Sequence, residues 1–434
     1  MESTNERKNP KKNLKLWNKN FFLLWQGQLV SVLGDVLYML ALELWILKIT
    51  GSTGLMGLLG AVTMLPRIIL GPFAGVFVDR WSRKNVIVIT DLIRGIVITF
   101  VGVAGILGFI EVWMVFIVGV ITGLCSAFFN PAVGAIKPEL VPEEKLVKAN
   151  SFTGLADSGM NILGSGIAGA LYVAIGAPYM FLFNGLSFLF SAFTEVFIKE
   201  PKRRVVGEKE KITFIEDLKS GFRFVWSFSA FKKVFFCAAL INFTSSIAFV
   251  LMPAYFTSAS FLGEERYGFY MALVAVGQLI GSLALSVIDV KRDKKFMLYI
   301  LTTIGSLGII PFAFMIDNFY ILCIISLISF CGNAMFNTLM ISSLMIVIPP
   351  DKRGKVGALM NTLSGGLQPV GMLIGGVLGE IFPYRLVMVV FLFITLIGGL
   401  GIVLPKGVKN IVEYDSKEGS IDELIAATNN GVSL

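Results

Sequence analysis

Apolar residues run through this chain in long blocks, with polar positions gathered between the blocks and seldom inside them. Twelve blocks stand out, near residues 20–47, 54–78, 86–106, 112–135, 150–174, 178–198, 234–258, 267–289, 296–315, 319–348, 355–381 and 385–404. About 20 such residues, each rising 1.5 Å along a helix, cross the ~30 Å hydrocarbon layer of a bilayer. The pattern predicts an all-α integral membrane fold of twelve transmembrane helices. The segment before residue 20 is polar and basic and leads straight into a full-length block, without a short apolar core or a small-residue cleavage site. No signal peptide is expected.

Laid against itself, the chain repeats. Gly57 to Ala61 in GLLGA matches Gly268 to Ala272 in GFYMA, and the same shift carries Arg83 and Lys84 onto Lys294 and Lys295. FFNPAVGAIKPELVPEEKLVK aligns with MFNTLMISSLMIVIPPDKRGK, placing Asn130 on Asn337, Pro142 on Pro349 and Lys148 on Lys355, and Gly164 then meets Gly375. Six spans are followed by six similar spans in the same orientation, which predicts two pseudo-symmetric six-helix bundles, 20–198 and 234–404. A tail at 1–19, a linker at 199–233 and a tail at 405–434 flank them. In the linker, Ile215, Leu218, Phe222 and Val225 share one helical face, as in an amphipathic helix lying on the membrane surface. A simple tether explains the rest of that loop equally well. The tail from Pro405 reads as polar and mobile.

Charge then fixes orientation. The net charge of +8 would suit a nucleic-acid partner if the basic residues formed a patch. They do not. Of 37 Lys and Arg, only Lys48, Arg266 and Arg385 fall in one set of loops and Arg67 and Arg94 inside spans, so the rest crowd the tails and the other loops. This is the positive-inside pattern; it puts both termini in the cytoplasm of a multi-pass cell-membrane protein and leaves no case for nucleic acid. Cys125, Cys237, Cys323 and Cys331 lie within spans without C-x-x-C spacing, and the chain has no histidine, so neither a disulfide framework nor a metal site is expected.

Gly164, Gly166 and Gly169 spell G-x-G-x-x-G, but no strand precedes them and lipid surrounds them, so helix packing is the better reading. Small residues four apart recur at Gly71 and Gly75, Gly119 and Gly123, Gly277 and Gly281, and Gly371, Gly375 and Gly379. No Walker loop and no nucleophile with a matching base appear; neither ATP-driven transport nor enzyme chemistry has machinery here, and no cofactor is implied.

One loop carries more than the positive-inside rule needs. In GVFVDRWSRK, residues Gly75, Asp79, Arg80, Arg83 and Lys84 stand at fixed spacing. The stretch resembles the motif between the second and third helices of the major facilitator superfamily, with Ser82 where the family usually has Gly. The resemblance implies a latch on the cytoplasmic side, the Asp facing the positive end of a helix from the other half. TDLIRG at Thr90 to Gly95, FNPAVGAIKPELVPEEKLVKANS and GSGIAGA look like the drug-efflux branch that includes macrolide and siderophore exporters, although Ser165 replaces the proline usual in the fifth helix. The resemblance covers most of the chain. It implies a secondary transporter of small molecules working by alternating access, with the first helix lining the central cavity.

Ionisable residues inside spans cost roughly 2.5 to 3.5 kcal/mol each on insertion scales, so they normally face a cavity or a partner. Asp35 lies roughly 22 Å along the first span, and Gln28, Ser31, Asp35 and Tyr38 make one polar stripe by helical spacing. Asp35 is the candidate proton-coupling carboxylate; a structural hydrogen-bond anchor is the alternative. Asp91, Arg94 and Asp157 read as a charge network beneath the inner gate, with a purely structural ion network as the alternative, and Arg67 would either join that network or bind an anionic substrate. Glu43, Glu195 and Glu380, near span ends, read as solvated interfacial carboxylates. The second half has no mid-span charge; its candidate substrate-binding residues are Asn242, Phe243, Asn333, Phe336 and Asn337, with Gln278, Asn361 and Gln368 nearby.

That lining suits a large amphiphilic substrate better than a sugar or a small anion, and the resemblance to the drug-efflux branch alone implies a macrolide as the leading substrate. A siderophore or lysolipid is the second substrate reading, and a sensor or scaffold that transports nothing is the reading from another class. Protons and membrane lipids are the other expected partners, and a monomer houses the whole pathway.

Overall fold

The computed structural model describes residues 15–199, 222–223, 225–288, 290–349, 356–357, 360, 362, 364–414 and 421–430. The first four helices are α1 (Lys19–Thr50), α2 (Thr53–Arg80), α3 (Arg83–Ile106) and α4 (Val112–Leu140). They are followed by α5 (Leu146–Ile175), α6 (Ala177–Glu195), α7 (Ser229–Val250), α8 (Met252–Ser258) and α9 (Glu264–Val287). Last come α10 (Arg292–Ala313), α11 (Phe319–Val347), α12 (Gln368–Ile381), α13 (Tyr384–Val403), α14 (Lys406–Val412) and α15 (Ile421–Asn430). No strand occurs among the described residues. Eleven segments among them are long and apolar enough to cross a membrane. The expected span at 355–381 is described only in part, through α12.

Local chemistry sets the helix ends. Gly51, at φ +65°, turns the chain between α1 and α2, and Gly176, at φ +81°, turns it between α5 and α6, where a Cβ would be strained. Ser82 caps α3 by accepting from Asn85 N at 3.2 Å. Asn318 caps α11 by accepting from Tyr320 N and Ile321 N at 3.0 and 3.1 Å. The block expected at 234–258 is two helices, α7 and α8, because Pro253 sits in the first turn of α8 and has no N–H to continue the ladder.

The chain forms two compact units, and the division falls inside α1 and α2: Glu43–Met64 belongs with the C-terminal unit, and the described residues up to Leu42 and from Leu65 to residue 199 form the other. In the N-terminal unit α3 lies against α6 and α4. The α3 and α6 backbones nearly touch: a methyl on Gly185 would stand 2.4 Å from Thr99 N, and one on Gly102 2.6 Å from Leu182 N.

The C-terminal unit uses the same device. Gly277 and Gly281 bring α9 onto the Leu327 and Cys331 carbonyls of α11, and Gly371 and Gly375 bring α12 onto the Phe243 and Ile247 carbonyls of α7. These glycine pairs pack as the spacing predicts, whereas a methyl on Gly71 or Gly75 would meet nothing within 4 Å among the described neighbours. Gly57 and Gly376 close the α2 start onto α12, and Thr53 Oγ1 donates to Gly376 O at 2.7 Å.

The tail from Pro405 departs from expectation. Val408, Ile411 and Val412 of α14 and Leu424 of α15 are buried in one apolar cluster with Phe228, Phe231 and Tyr299. Their apolar side chains, spaced along short helices, were hidden by the polar average of the segment. Of the predicted amphipathic face, Ile215 and Leu218 lie outside the described residues, Phe222 is exposed, and Val225 is buried in the same cluster.

Candidate functional site

Polar side chains of the N-terminal unit concentrate where α1 faces α6. Gly27 and Gly34 stand two turns apart on α1, and each makes room for polar atoms. A methyl on Gly34 would lie 2.5 Å from Asn184 Oδ1 and 2.6 Å from Ser187 Oγ, and one on Gly27 would lie 2.7 Å from Ser191 Oγ. Beside Gly34, Asp35 accepts from Asn184 Nδ2 at 3.2 Å, and Ser187 Oγ donates to Asn184 O at 2.8 Å. Asn184 is fully buried and Asp35 half-buried.

The rest of the predicted α1 stripe surrounds this contact. Ser31 Oγ, Tyr38 Oη and Gln28 Nε2 are buried and make no hydrogen bond among the described residues. The Tyr38 ring packs edge-on to Phe181, 5.1 Å between centroids. A carboxylate with one amide donor, set among polar atoms with free valence, can take up a proton, a cation or water.

One end of the same face of α6 carries further charge. Asp91 and Arg94, a turn apart on α3, form a buried ion pair. The Arg94 guanidinium is held between the Phe129 and Phe188 rings, at 4.2 and 4.3 Å from their centroids. Glu195, with no exposed surface, lies beside Asp91, and Ser191 neighbours both carboxyls. This corrects the reading of Glu195 as a solvated carboxylate. Asp157 and Arg67, expected in the network, stand apart from it: Asp157 faces Lys137 across α4 and α5, and Arg67 is exposed.

In the charged loop, Arg83 binds Glu139 and donates to Ala135 O at 3.0 Å, which ties the start of α3 to the end of α4 within one unit. Arg80 is exposed and Lys84 half-buried, and the Asp79 side chain lies outside what the structure describes.

In the C-terminal unit, Gln368 Nε2 donates to Asn242 Oδ1 at 2.8 Å, and Asn337 Nδ2 donates to Asn333 Oδ1 at 3.0 Å. Phe243 is half-buried, Gln278 is exposed and Asn361 lies outside the described residues. Phe336 is a core residue, 7% exposed and stacked on Tyr299 at 5.2 Å, which corrects its reading as a cavity residue. Two more carboxylates near span ends have partners: Tyr267 Oη donates to Glu43 at 2.8 Å, and Glu380 caps α2, accepting from Gly54 N at 3.0 Å and from Ser52.

Sequence reasoning missed Asn184, Ser187, Ser191 and Glu195. The signal was present, because steps of three, four and four residues put them on one face of a helix.

Long apolar helices with buried charge between them are the architecture of a polytopic membrane protein. The Major Facilitator Superfamily matches residues 24–368, and the chain belongs to that family. Macrolide efflux protein A of Streptococcus pyogenes is 24% identical over 371 residues, 84% of this chain and 90% of that protein. The multidrug efflux pump Tap of Mycolicibacterium fortuitum is 23% identical over 404 residues, 88% of this chain and 95% of the pump. Among solved structures, a bacterial homologue of the human lysosomal transporter Spinster, inward-facing and unoccupied, shares the fold. It has a TM-score of 0.66 at 15% identity, covering 91% of this chain and 98% of that one. The chain is therefore a multi-pass membrane transporter, and the family expected from its sequence is the one it belongs to.

Proposed function

We propose that this transporter is a proton-coupled exporter of amphiphilic compounds, macrolides first among them, with both termini in the cytoplasm. The observation that carries the proposal is the Asp35–Asn184 contact: a half-buried carboxylate deep in an apolar helix, held by a single amide and flanked by Gln28, Ser31 and Tyr38 with hydrogen-bonding capacity unspent. Asp35 loads a proton from one side of the membrane and releases it to the other as two six-helix halves alternate. One proton descending ~150 mV supplies about 3.5 kcal/mol, which sustains roughly a 300-fold gradient of a neutral substrate. The names of the relatives, a macrolide efflux protein and a multidrug pump, support the substrate class.

Asn242, Phe243, Asn333 and Asn337 offer the substrate amide and aromatic contacts, and Gly75, Asp79, Arg80, Arg83 and Lys84 form the cytoplasmic gate motif. An anionic substrate is less well served, because Arg94 is already enclosed by Asp91 and two rings. The test is uptake of macrolides, cationic dyes and siderophores into inverted membrane vesicles energised with a proton gradient. Accumulation of amphiphiles that collapses with a protonophore is expected. Uptake that ignores the protonophore would exclude coupling, and uptake of siderophores alone would exclude the substrate class.

A further inference from the structure

Asp91, Arg94 and Glu195 present two carboxyls and one guanidinium in a pocket that water does not reach: Asp91 and Glu195 are 0% exposed and Arg94 6%. Fully ionised, the group would hold an uncompensated negative charge in an apolar bundle, which is strongly unfavourable. The bonding is incomplete in the same sense. Both Glu195 oxygens and Asp91 Oδ2 are buried acceptors that receive no hydrogen bond of normal geometry among the described residues, and the Ser191 hydroxyl beside both carboxyls, also 0% exposed, makes none either. One proton on the carboxyl pair supplies the missing donor and restores neutrality. The titratable and charged groups that bear on the cluster are Asp35 from α1, Asp91 and Arg94 from α3, Cys125 from α4 and Glu195 from α6.

The cluster is also connected. Asn184, Ser187, Ser191 and Glu195 follow one face of α6 over about 16 Å, and Gly27 and Gly34 keep the facing α1 backbone close to three of them. Ser31 Oγ, 7% exposed and without a hydrogen-bond partner among the described residues, lies between those glycines in sequence. Asp35 stands at the Asn184 end. Hydroxyls and an amide spaced about a turn apart along a buried seam are what proton hopping needs.

We propose that Asp91, Arg94 and Glu195 form a proton-binding site that holds one proton, and that the α1–α6 seam passes this proton to and from Asp35 inside a single unit. The site stands on charge and bonding alone; only its link to Asp35 rests on the proton-coupled reading above. The transfer moves one proton from a carboxyl at the cluster to the Asp35 carboxylate and leaves the cluster ionised until it is reloaded.

Infrared spectroscopy of the full-length protein in lipid nanodiscs tests the site without any substrate. Wild type should show a protonated-carboxyl C=O stretch at neutral pH. That band should lose one carboxyl's intensity in Glu195→Gln and also in Asp91→Asn, because in either variant the remaining carboxyl pairs with Arg94 and ionises. Both replacements keep the shape of the side chain, and an unchanged melting temperature verifies the fold. A band unchanged in Glu195→Gln overturns the site.

Proton flux in proteoliposomes tests the link. Glu195→Gln and Ser191→Ala should each slow substrate-driven flux more than about tenfold, equivalent to ~1.4 kcal/mol on the transfer step. Undiminished flux in both variants overturns the route. If wild type carries no substrate-driven flux while the band behaves as described, the coupled-export reading fails and the proton site stands.

Discussion

Gly34 and Gly75 have identical side chains and opposite surroundings. A methyl on Gly34 would collide with Asn184 Oδ1 and Ser187 Oγ, both held in the buried α1–α6 contact, whereas one on Gly75 would meet nothing within 4 Å among the described residues. Gly34→Ala should therefore destabilise the purified transporter by about 1–3 kcal/mol, the usual penalty for overpacking. Gly75→Ala should leave stability unchanged or slightly raised, since Ala is the better helix former by roughly 0.5–1 kcal/mol. Thermal melts of the two variants in one detergent check this pair. The Asp35 stripe was legible in the sequence because an intramembrane carboxylate is rare enough to stand out. Glu195 was not: a carboxylate near a span end is solvated by default, and only the partners that α3 supplies reveal it as buried. Phe336 failed for a related reason, since an aromatic residue among polar neighbours reads as cavity lining and only the Tyr299 ring supplied by α10 reveals it as core.

At the level of elements, span positions were readable from composition alone, and helix ends were readable where a capping residue declares them. Ser82 is an instance. It stands where the motif usually has Gly, and it caps α3 through Asn85 N. Ser82→Ala should cost about 1 kcal/mol and Ser82→Gly only a few tenths, so the order of melting temperatures should be wild type, Gly variant, Ala variant. The reverse order would mean that backbone freedom, not capping, governs the turn. The division of block 234–258 into α7 and α8 was also written in the sequence, at Pro253. The grouping of Glu43–Met64 with the C-terminal unit was not, because it arises from Gly57, Gly376 and Tyr267, contacts far apart in the chain that no local pattern encodes.

For the molecule as a whole, apolar blocks and the charged loop identified the family, whereas the role of the tail came only from packing. Val408, Ile411, Val412 and Leu424 are each no more than 2% exposed, and burying such side chains contributes about 1.5–3 kcal/mol apiece. Ending the chain at Leu404 should lower the melting temperature by at least ~5 °C; a truncated protein that melts with wild type would show the tail contributes nothing. The central claim is that Asp35 couples substrate movement to proton movement. The most direct measurement is proton flux in proteoliposomes holding an imposed pH gradient, recorded as a macrolide is added, for wild type and Asp35→Asn. The account predicts a substrate-dependent flux in wild type that vanishes in the variant while the variant still binds the macrolide. Substrate crossing with no proton flux, or a flux that survives in Asp35→Asn, would contradict it.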